Sequence, residues 1–363
     1  MLKVFEAFAG YGSQRLALKK ANIPHKVVGI SEIDGDALLS YAAIHENLLE
    51  ERMNELPITE NDMREFLENI NVPLHYKTFK NRAKSLKGQK LKDMFIANKF
   101  SNNFGDIRII NPDELPDFDF FTYSFPCQDI SIAGNQNGLD ANSGTRSSLL
   151  WECCRIIEKK KPKYLMMENV KNLIGKNHIK NFNAFLLYLE SLGYKNFCDV
   201  LNARNYGIPQ NRERVFCISI LDTDAEFTFP PTKELSIYMK DLLEDDVPDN
   251  FYLNNNQVTD EPITQDYIYC LDSNYWKGTF LKDFLAKKRR QLVSGPIRDD
   301  GKYPARRLTP KETWRFMGVD DSDFIKASIL VSNTNLYRQS GNSIVVPVLE
   351  AIFKNLFSEE KKL

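Results

Sequence analysis

Val4-Phe5-Glu6-Ala7-Phe8-Ala9-Gly10-Tyr11-Gly12-Ser13 is a short apolar run that leads into a glycine turn and then a helical pattern. Gly10 and Gly12 can adopt backbone conformations that let a ligand approach the N–H groups at the start of the helix. Glu32 follows the next apolar run, at the position where a carboxylate binds the ribose of a nucleotide-like cofactor. The third glycine of the dinucleotide fingerprint is missing, so this pattern alone also fits a tight strand-to-helix turn.

The rest of the chain continues this alternation of strand-like and helix-like segments. We predict strands at residues 4–7, 27–31, 118–124, 164–168, 196–201 and 214–220, and helices at 13–21, 36–45, 149–158, 182–192 and 347–357. Alternating strands and helices predict an α/β fold, with a mostly parallel sheet and helices on both faces. Residues 49–103 form a lysine-rich, helix-prone insertion, and the pattern becomes irregular after about residue 223.

Composition limits the classes of protein that this chain can represent. Hydrophobic residues make up 42% of its 363 residues, enough for a substantial core, and the net charge is −1. Nucleic-acid binding would therefore depend on local basic patches. The six cysteines have no zinc-ligand spacing, so we expect no metal and reduced thiols. No signal peptide or long apolar stretch is recognisable, so we expect a cytoplasmic protein without membrane contact.

Chemically active side chains follow several predicted strands. Cys127 comes just after the strand at 118–124, Glu168 ends the next strand, and Arg212 and Arg214 alternate at the start of another. The carboxyl ends of parallel strands form the ligand-binding edge of an open sheet. Position alone leaves other roles open: a lone cysteine is commonly a small core residue, a glutamate can cap a strand, and paired arginines can be surface residues.

Five short motifs follow one another in order: Phe-x-Gly-x-Gly at 8–12, Pro-Cys-Gln at 126–128, Glu-Asn-Val at 168–170, Gln-x-Arg-x-Arg at 210–214 and Gly-Asn-Ser at 341–343. This series resembles that of the bacterial and phage C5-cytosine-specific DNA methyltransferases of the restriction-modification type. The match excludes only residues 49–103 and 223–304. The resemblance implies an S-adenosylmethionine (SAM)-dependent methyltransferase with a Rossmann-like sheet and a smaller, irregular target-recognition domain.

The resemblance also predicts the domain limits and the partners. The catalytic domain would comprise residues 1–223, completed by 338–363, and the target-recognition domain residues 224–337. We expect a monomer that binds double-stranded DNA and SAM.

The chemistry explains why these residue types are required. By resemblance, the Cys127 thiolate adds to C6 of a cytosine that has been flipped out of the duplex, and this makes C5 nucleophilic. Glu168 would bind N3 and the exocyclic amine, and Arg214 would contact the target base. Arg212, the fourth predicted catalytic residue, would contact backbone phosphate.

The resemblance assigns cofactor residues as well. Phe8 would stack on the adenine, Glu32 would bind the ribose, Asp106 would accept from the adenine amine, and Leu150 would line the pocket. Asn342 and Ser343 would lie near the methionine end. The complete predicted set is Phe8, Gly10, Gly12, Glu32, Ile33, Asp106, Ile107, Pro126, Leu150, Asn342 and Ser343.

DNA contacts are predicted from both motifs and charge. Basic residues far outnumber acidic residues between 277 and 315, where the family has its target-recognition domain. A second basic stretch, 76–99, fits either a DNA-facing element or a solvated helix face. The predicted DNA contacts are Gln128, Ser131, Asn169, Arg289, Arg290 and Arg298.

Two further readings of the motif series remain. The tRNA-methylating branch of the same family shares these motifs but carries a Cys-Phe-Thr signature that is absent here. A non-catalytic relative would not need Cys127, Glu168 and Arg214 together.

Overall fold

The computed structural model describes residues 1–75, 78–126 and 149–357. The chain forms two compact units. The first comprises Met1–Leu201, Glu213–Pro230 and Leu349–Leu363, and the second Asn202–Arg212 and Pro231–Val348. Compared with the predicted target-recognition domain, 224–337, the second unit also includes residues 202–212 and 338–348 and lacks residues 224–230. The functional division of the chain remains a prediction.

Eleven strands and twelve α-helices occur in the described part of the chain. The strands are β1 (Leu2–Ala7), β2 (His25–Ser31), β3 (Phe120–Tyr123), β4 (Tyr164–Val170), β5 (Lys195–Asn202), β6 (Gln210–Asn211), β7 (Glu213–Ile220), β8 (Val258–Thr259), β9 (Ile268–Tyr269), β10 (Leu292–Ser294) and β11 (Tyr303–Arg307). The helices are α1 (Ser13–Lys20), α2 (Gly35–His45), α3 (Leu48–Glu51), α4 (Glu60–Asn69), α5 (Gly88–Phe100), α6 (Leu149–Lys160), α7 (Ile179–Ser191), α8 (Leu281–Lys287), α9 (Pro310–Arg315), α10 (Asp321–Ser328), α11 (Asn333–Asn342) and α12 (Val346–Leu356).

The first unit is built on a six-stranded sheet in the order β2-β1-β3-β4-β7-β5. Strands β1 to β4 run parallel, and β7 pairs antiparallel with β4. Val4, Phe5, Glu6 and Ala7 are all fully buried, as expected for a strand covered on both faces. The α/β prediction is confirmed. Because β7 is antiparallel, its first residues lie at the same edge as the carboxyl ends of β1 to β4.

Aromatic side chains fill the core on both faces of this sheet. The ring centroid of Phe5 lies 5.2 Å from that of Phe118, and the rings of Phe121 and Tyr123 stack at 5.1 Å. On the opposite face of the sheet, the ring of Phe353 in α12 packs edge-on against Phe120, with the ring centroids 5.4 Å apart. Full burial of each such side chain contributes roughly 1.5–3 kcal/mol, so the sheet provides a rigid base for the residues at its edge.

The insertion, residues 49–103, belongs to the first unit and carries α3, α4 and α5. Thr59 and Asp62 form a reciprocal cap at the start of α4. Arg52 binds both carboxylate oxygens of Asp93, at 2.9 and 2.6 Å. Lys99 lies 4.6 Å from the centre of the Phe66 ring. Some of its basic side chains therefore stabilise the insertion itself.

The expectation of reduced thiols is wrong for one pair of cysteines. Cys198 of β5 and Cys217 of β7 form a disulfide, with their Cα atoms 4.1 Å apart. Cys153, Cys154 and Cys270 are free thiols in the described part of the chain. The pair is separated by 19 residues in sequence, and only the adjacency of the two strands brings it together.

The second unit has little regular structure, as predicted. Its strands form a three-stranded sheet, β10-β11-β8, and a two-stranded pair, β6-β9. A buried ion pair supports it: Arg306 binds both carboxylate oxygens of Glu312, at 2.9 and 2.8 Å, and Glu312 also completes the cap with Thr309 at the start of α9. In the ranges that the structure describes, no helix combines the length and apolar character needed to span a bilayer.

Candidate active site

The turn after β1 has a left-handed backbone at three positions. Phe8, Gly10 and Gly12 have φ of 57°, 58° and 85°. A Cβ atom on Gly12 would lie 2.4 Å from Nε2 of His45, so this position requires glycine. A Cβ atom on Gly10 would meet no atom within 4 Å. The chain thus turns sharply into α1 and leaves open space beside Gly10.

Glu32 connects the ends of β1 and β2. Its Oε2 atom accepts from the Gly10 N–H at 2.8 Å, and its Oε1 atom accepts from the Ile33 and Asp34 N–H groups, both at 2.8 Å. Burial raises the pKa of Glu32 to about 7, and the charge of Asp34 adds to this shift, while the three N–H donors oppose it. The carboxylate is held directly over the glycine turn.

Asp106 provides a second carboxylate in the first unit. It follows Gly105, where a Cβ atom would lie 1.8 Å from the Ile70 carbonyl oxygen. Arg108 donates to Asp106 through its backbone N–H at 3.1 Å and its Nε at 2.9 Å, and Asn71 donates to Oδ2 at 3.0 Å. Burial acts to raise the pKa of Asp106, but the hydrogen bonds and charge of Arg108 outweigh it and hold the pKa below its usual value.

Asn103 joins these two carboxylate-bearing segments, and sequence reasoning missed it. Its Oδ1 accepts from the N–H groups of Glu32 and Gly105 at 3.0 and 3.1 Å, and its Nδ2 donates to the Glu32 carbonyl at 2.9 Å. The only available signal was its position directly before Phe104-Gly105-Asp106. A buried asparagine with three such bonds fixes the spacing between the two segments.

The apolar residues of the predicted cofactor set occupy the same region. Ile107 and Leu150 belong to the buried core cluster, and Phe8 is half-buried against that cluster. Ile33 and Pro126 are half-buried. Their role in binding a cofactor remains a prediction.

A glutamate–arginine pair occupies the ends of β4 and β7. The antiparallel register opposes Val170 to Arg214, and the Arg214 Nε atom lies 3.2 Å from Oε1 of Glu168. The two side chains are 16% (Arg214) and 9% (Glu168) exposed, so the pair is largely shielded from water but accessible from the sheet edge. The sequence predicted both residues in one site, and the sheet register brings them into contact.

Asn169 anchors the segment that leads to the predicted nucleophile. It is buried, and its Nδ2 donates to the Phe125 carbonyl at 3.0 Å. Its predicted DNA contact remains a prediction, although the observed bond assigns its amide nitrogen to the backbone. Cys127, Gln128 and Ser131 lie outside the described residues.

Arg212 belongs to the second unit and is buried. Its Nη1 donates to the Leu271 carbonyl at 2.9 Å, and its Nη2 donates to the carbonyls of Gly341 and Ser343 at 3.0 and 2.6 Å. Asn342 between them is exposed. The sequence predicted a phosphate contact for Arg212, which is untested. The guanidinium instead points at the backbone of the Gly-Asn-Ser segment and fixes its course.

The predicted DNA-contacting arginines also lie in the second unit. Arg289 pairs with Asp272 at 3.2 Å, Arg290 donates to the Gly278 carbonyl at 2.8 Å, and Arg298 donates to the Asn255 carbonyl at 3.0 Å. Arg289 and Arg290 line a pocket of about 550 Å³ whose wall is strongly basic. Its other basic lining residues are Lys277, Lys287 and Arg307. Across the described ranges, no group of three or more His, Cys, Asp or Glu side chains is arranged to hold a metal ion.

Three features define the class of α/β methyltransferases: a glycine turn after β1, carboxylates after β2 and in the loop before β3, and a carboxylate–guanidinium pair at the ends of β4 and β7. The model of the C-5 cytosine-specific DNA methylase family matches residues 58–358, and the chain belongs to this family. It is therefore a DNA (cytosine-5)-methyltransferase, and SAM is the typical methyl donor of such enzymes.

Two relatives agree with this assignment, and one solved structure shares the fold. The type II methyltransferase M2.ScrFI of Lactococcus lactis subsp. cremoris is 76% identical over 99% of this chain and 100% of its own length. The orphan methyltransferase M.SssI of Spiroplasma monobiae is 34% identical over 98% of this chain and 97% of its own length. The S. pombe Dnmt2 methyltransferase structure has a TM-score of 0.63 at 17% identity, covering 99% of both chains, and shows the fold alone.

Proposed function

We propose that this chain methylates C5 of a cytosine within a specific double-stranded DNA sequence, with SAM as the donor and Cys127 as the nucleophile. We further propose that it serves a restriction-modification system, as its 76% identical relative is named a type II methyltransferase. The observation that carries the mechanism is the shielded Glu168–Arg214 pair at the sheet edge. The Asn169–Phe125 bond supports it, because it fixes the strand end that precedes Cys127.

The residues present fit SAM. Open space beside Gly10 adjoins a carboxylate suited to ribose hydroxyls, and Asp106 offers an acceptor suited to an exocyclic amine. Phe8 adds a half-buried ring. When bound, SAM supplies an electrophilic methyl group. In this proposal Glu32 binds the ribose, Asp106 the adenine amine, and Phe8, Ile33, Ile107, Leu150 and Pro126 line the pocket.

The proposed chemistry on the base uses three side chains. The Cys127 thiolate adds to C6 of the extruded cytosine, which moves an electron pair towards C5. Glu168 accepts from the exocyclic amine through one carboxyl oxygen and, in its protonated form, donates to N3 through the other, and so stabilises the negative charge that develops on the ring. Arg214 contacts the target base and, through its ion pair, also holds the Glu168 side chain in place. After C5 has been methylated, water takes the C5 proton, the C5–C6 double bond forms again, and the C6–S bond breaks to release the thiolate.

The DNA would be held mainly by exposed cations of the second unit. Lys282, Lys287, Lys288, Arg289 and Arg298 are exposed on or after α8. Such residues suit phosphate contact, and a subset suits the reading of base edges in the major groove. Within the second unit, Arg212 fixes the backbone of the Gly-Asn-Ser segment through the Gly341 and Ser343 carbonyls.

The test compares Cys127→Ser with Cys270→Ser. Cys270 is an exposed cysteine outside the disulfide, and a serine there keeps a polar atom beside Arg212, whose Nη1 lies 3.6 Å from the Cys270 Sγ. We expect Cys127→Ser to abolish methyl transfer to duplex DNA while SAM binding persists, and Cys270→Ser to remain active. Bisulfite sequencing of plasmid DNA from an expressing host identifies the modified sequence. Activity of Cys127→Ser on DNA, or transfer to tRNA in preference to DNA, would contradict the proposal.

A further inference from the structure

We propose that Asn71, in the insertion, is a positioning residue that holds Asp106 for recognition of the 6-amino group of the cofactor's adenine. This inference rests on the proposed cofactor role of Asp106. It assigns residues 70–74 of the insertion to the cofactor site.

The insertion packs against the two segments that carry Glu32 and Asp106. The Leu74 N–H donates to the Ile33 carbonyl at 2.9 Å, and the Asp106 N–H donates to the Ile70 carbonyl at 3.2 Å. The approach at Gly105 is so close that a Cβ atom there would overlap the Ile70 carbonyl. Residues 70–74 are therefore in backbone contact with the segments that carry Glu32 and Asp106.

Hydrogen bonds connect Ala83, Asn81, Asn71 and Asp106, and only one assignment of donors and acceptors is possible along this chain. The Ala83 N–H, which can only donate, bonds to Oδ1 of Asn81 at 2.8 Å. The Asn81 Nδ2 atom then donates to Oδ1 of Asn71 at 3.1 Å, and the Asn71 Nδ2 atom donates to Oδ2 of Asp106 at 3.0 Å. Because each amide has one acceptor end and one donor end, the backbone N–H fixes the orientation of both asparagines.

Two side chains bind this carboxylate, and they differ in their exposure. Arg108 is 47% exposed and lies only two residues away, so its guanidinium can exchange for a ligand donor. Asn71 is half-buried and is oriented from behind by Asn81. Arg108 binds both oxygens of Asp106, through Nε at 2.9 and 3.1 Å and through Nη2 at 2.5 Å. When an incoming amine displaces this guanidinium, Asn71 remains bound to Oδ2 and fixes the carboxylate rotamer.

Backbone conformation suggests the best variant. Asn71 has φ of 54°, in the left-handed region, so alanine would add strain while glycine would not. Asn71→Gly removes the side chain without adding backbone strain, and Asn71→Asp replaces the donor with an acceptor that repels Asp106. Asn22 also has φ of 54° and is exposed in the same unit, so Asn22→Gly is a matched control. Asn81→Ala removes the amide that donates to Asn71, and so weakens the hydrogen-bond chain without touching Asn71 itself.

The experiment measures binding of two nucleosides to the full-length protein by calorimetry: S-adenosylhomocysteine and its 6-oxo analogue, S-inosylhomocysteine. We expect Asn71→Gly to weaken S-adenosylhomocysteine about tenfold, the typical effect of losing a hydrogen bond to a charged group. The 6-oxo analogue should be affected little, so the preference for the 6-amino compound shrinks. Asn71→Asp should have a larger effect in the same direction, Asn81→Ala a smaller one, and Asn22→Gly none.

The same assay separates this inference from the proposed function. If Asn71→Gly weakens both nucleosides equally, or neither, the positioning role is wrong. If Asp106→Asn also leaves the preference unchanged, the proposed role of Asp106 fails with it. If Asp106→Asn removes the preference and the Asn71 variants do not, only the role of Asn71 is refuted.

Discussion

The carboxyl edge of the first sheet and the basic segment 277–315 of the second unit differ in how their charged residues are used. At the sheet edge, Glu32, Glu168 and Arg214 lie where strand order and register place them. In the basic segment, residues of similar appearance in sequence have opposite roles. Arg306 is buried against Glu312, whereas Lys287 and Arg289 are exposed.

This comparison shows that charge becomes informative only when its surroundings are known. Arg315 pairs with Asp321 at 2.6 Å and also donates to the Leu242 carbonyl, and Lys311 pairs with Glu244. These cations stabilise the second unit. The part of the segment available to phosphate is concentrated between residues 277 and 302, where the lysines and Arg289 and Arg298 are exposed.

The largest expected effect concerns the sheet edge. Glu168→Gln keeps the shape of the side chain but has no acidic proton to transfer towards N3, so we expect the rate of methyl transfer to fall roughly 10²–10⁴-fold. SAM affinity should be unchanged, because Glu168 serves the base. Glu213→Gln, an exposed neighbour on β7, is the control. Equal activity of the two variants in a tritiated-methyl transfer assay would remove Glu168 from the mechanism.

The next effect tests the division within the basic segment. Arg306→Ala leaves Glu312 buried without its partner, so we expect the free energy of unfolding to fall by about 3–5 kcal/mol. Lys287→Ala combined with Arg289→Ala should change stability little. It should instead weaken DNA binding and reduce the slope of log affinity against log salt by about two.

Urea unfolding and DNA titrations at several salt concentrations measure these two effects. A double variant that lost stability but kept its salt slope would reverse the assignment of the two halves of the segment.

The smallest expected effect is on the pH dependence of stability, and it concerns Glu6, whose carboxyl group is fully buried in β1. Its Oε2 accepts from the Tyr41 hydroxyl at 2.9 Å. Burial raises the pKa of Glu6 from 4.5 to about 7, and the nearby Arg15 charge only partly opposes this shift. The folded state therefore favours the protonated form. Its contribution to stability is complete below about pH 4.5 and is lost as the pH rises through 7.

We expect Glu6→Gln to remove on the order of 2 kcal/mol from the fall in unfolding free energy between pH 5 and 8. Glu32 has a similarly raised pKa, so part of the fall should persist. Glu65→Gln, at an exposed position, is the control. If the free energy of unfolding fell equally with pH in the wild type and in Glu6→Gln, Glu6 would not titrate in this way.

The elements that could be predicted from the sequence are those marked by a pattern of apolar residues or by an ordered motif. The six strands of the main sheet and the residues at their ends followed from apolar runs and from the ordered motifs. The disulfide between Cys198 and Cys217 could not be predicted, because strands that are distant in sequence become neighbours only in the sheet. The buried role of Arg212 and the amide chain through Asn71 depend on side-chain orientation, for which sequence has no periodic signal.

The central claim is a transient bond between the sulfur of Cys127 and C6 of the target cytosine. Incubation with SAM and duplex DNA that carries 5-fluorocytosine at the target position tests it directly, because fluorine at C5 blocks the elimination that releases the enzyme. The account predicts a stable protein–DNA adduct that maps to Cys127 by peptide mass spectrometry and is absent in Cys127→Ser. Adduct formation at another residue, or efficient methylation with no adduct, would contradict it.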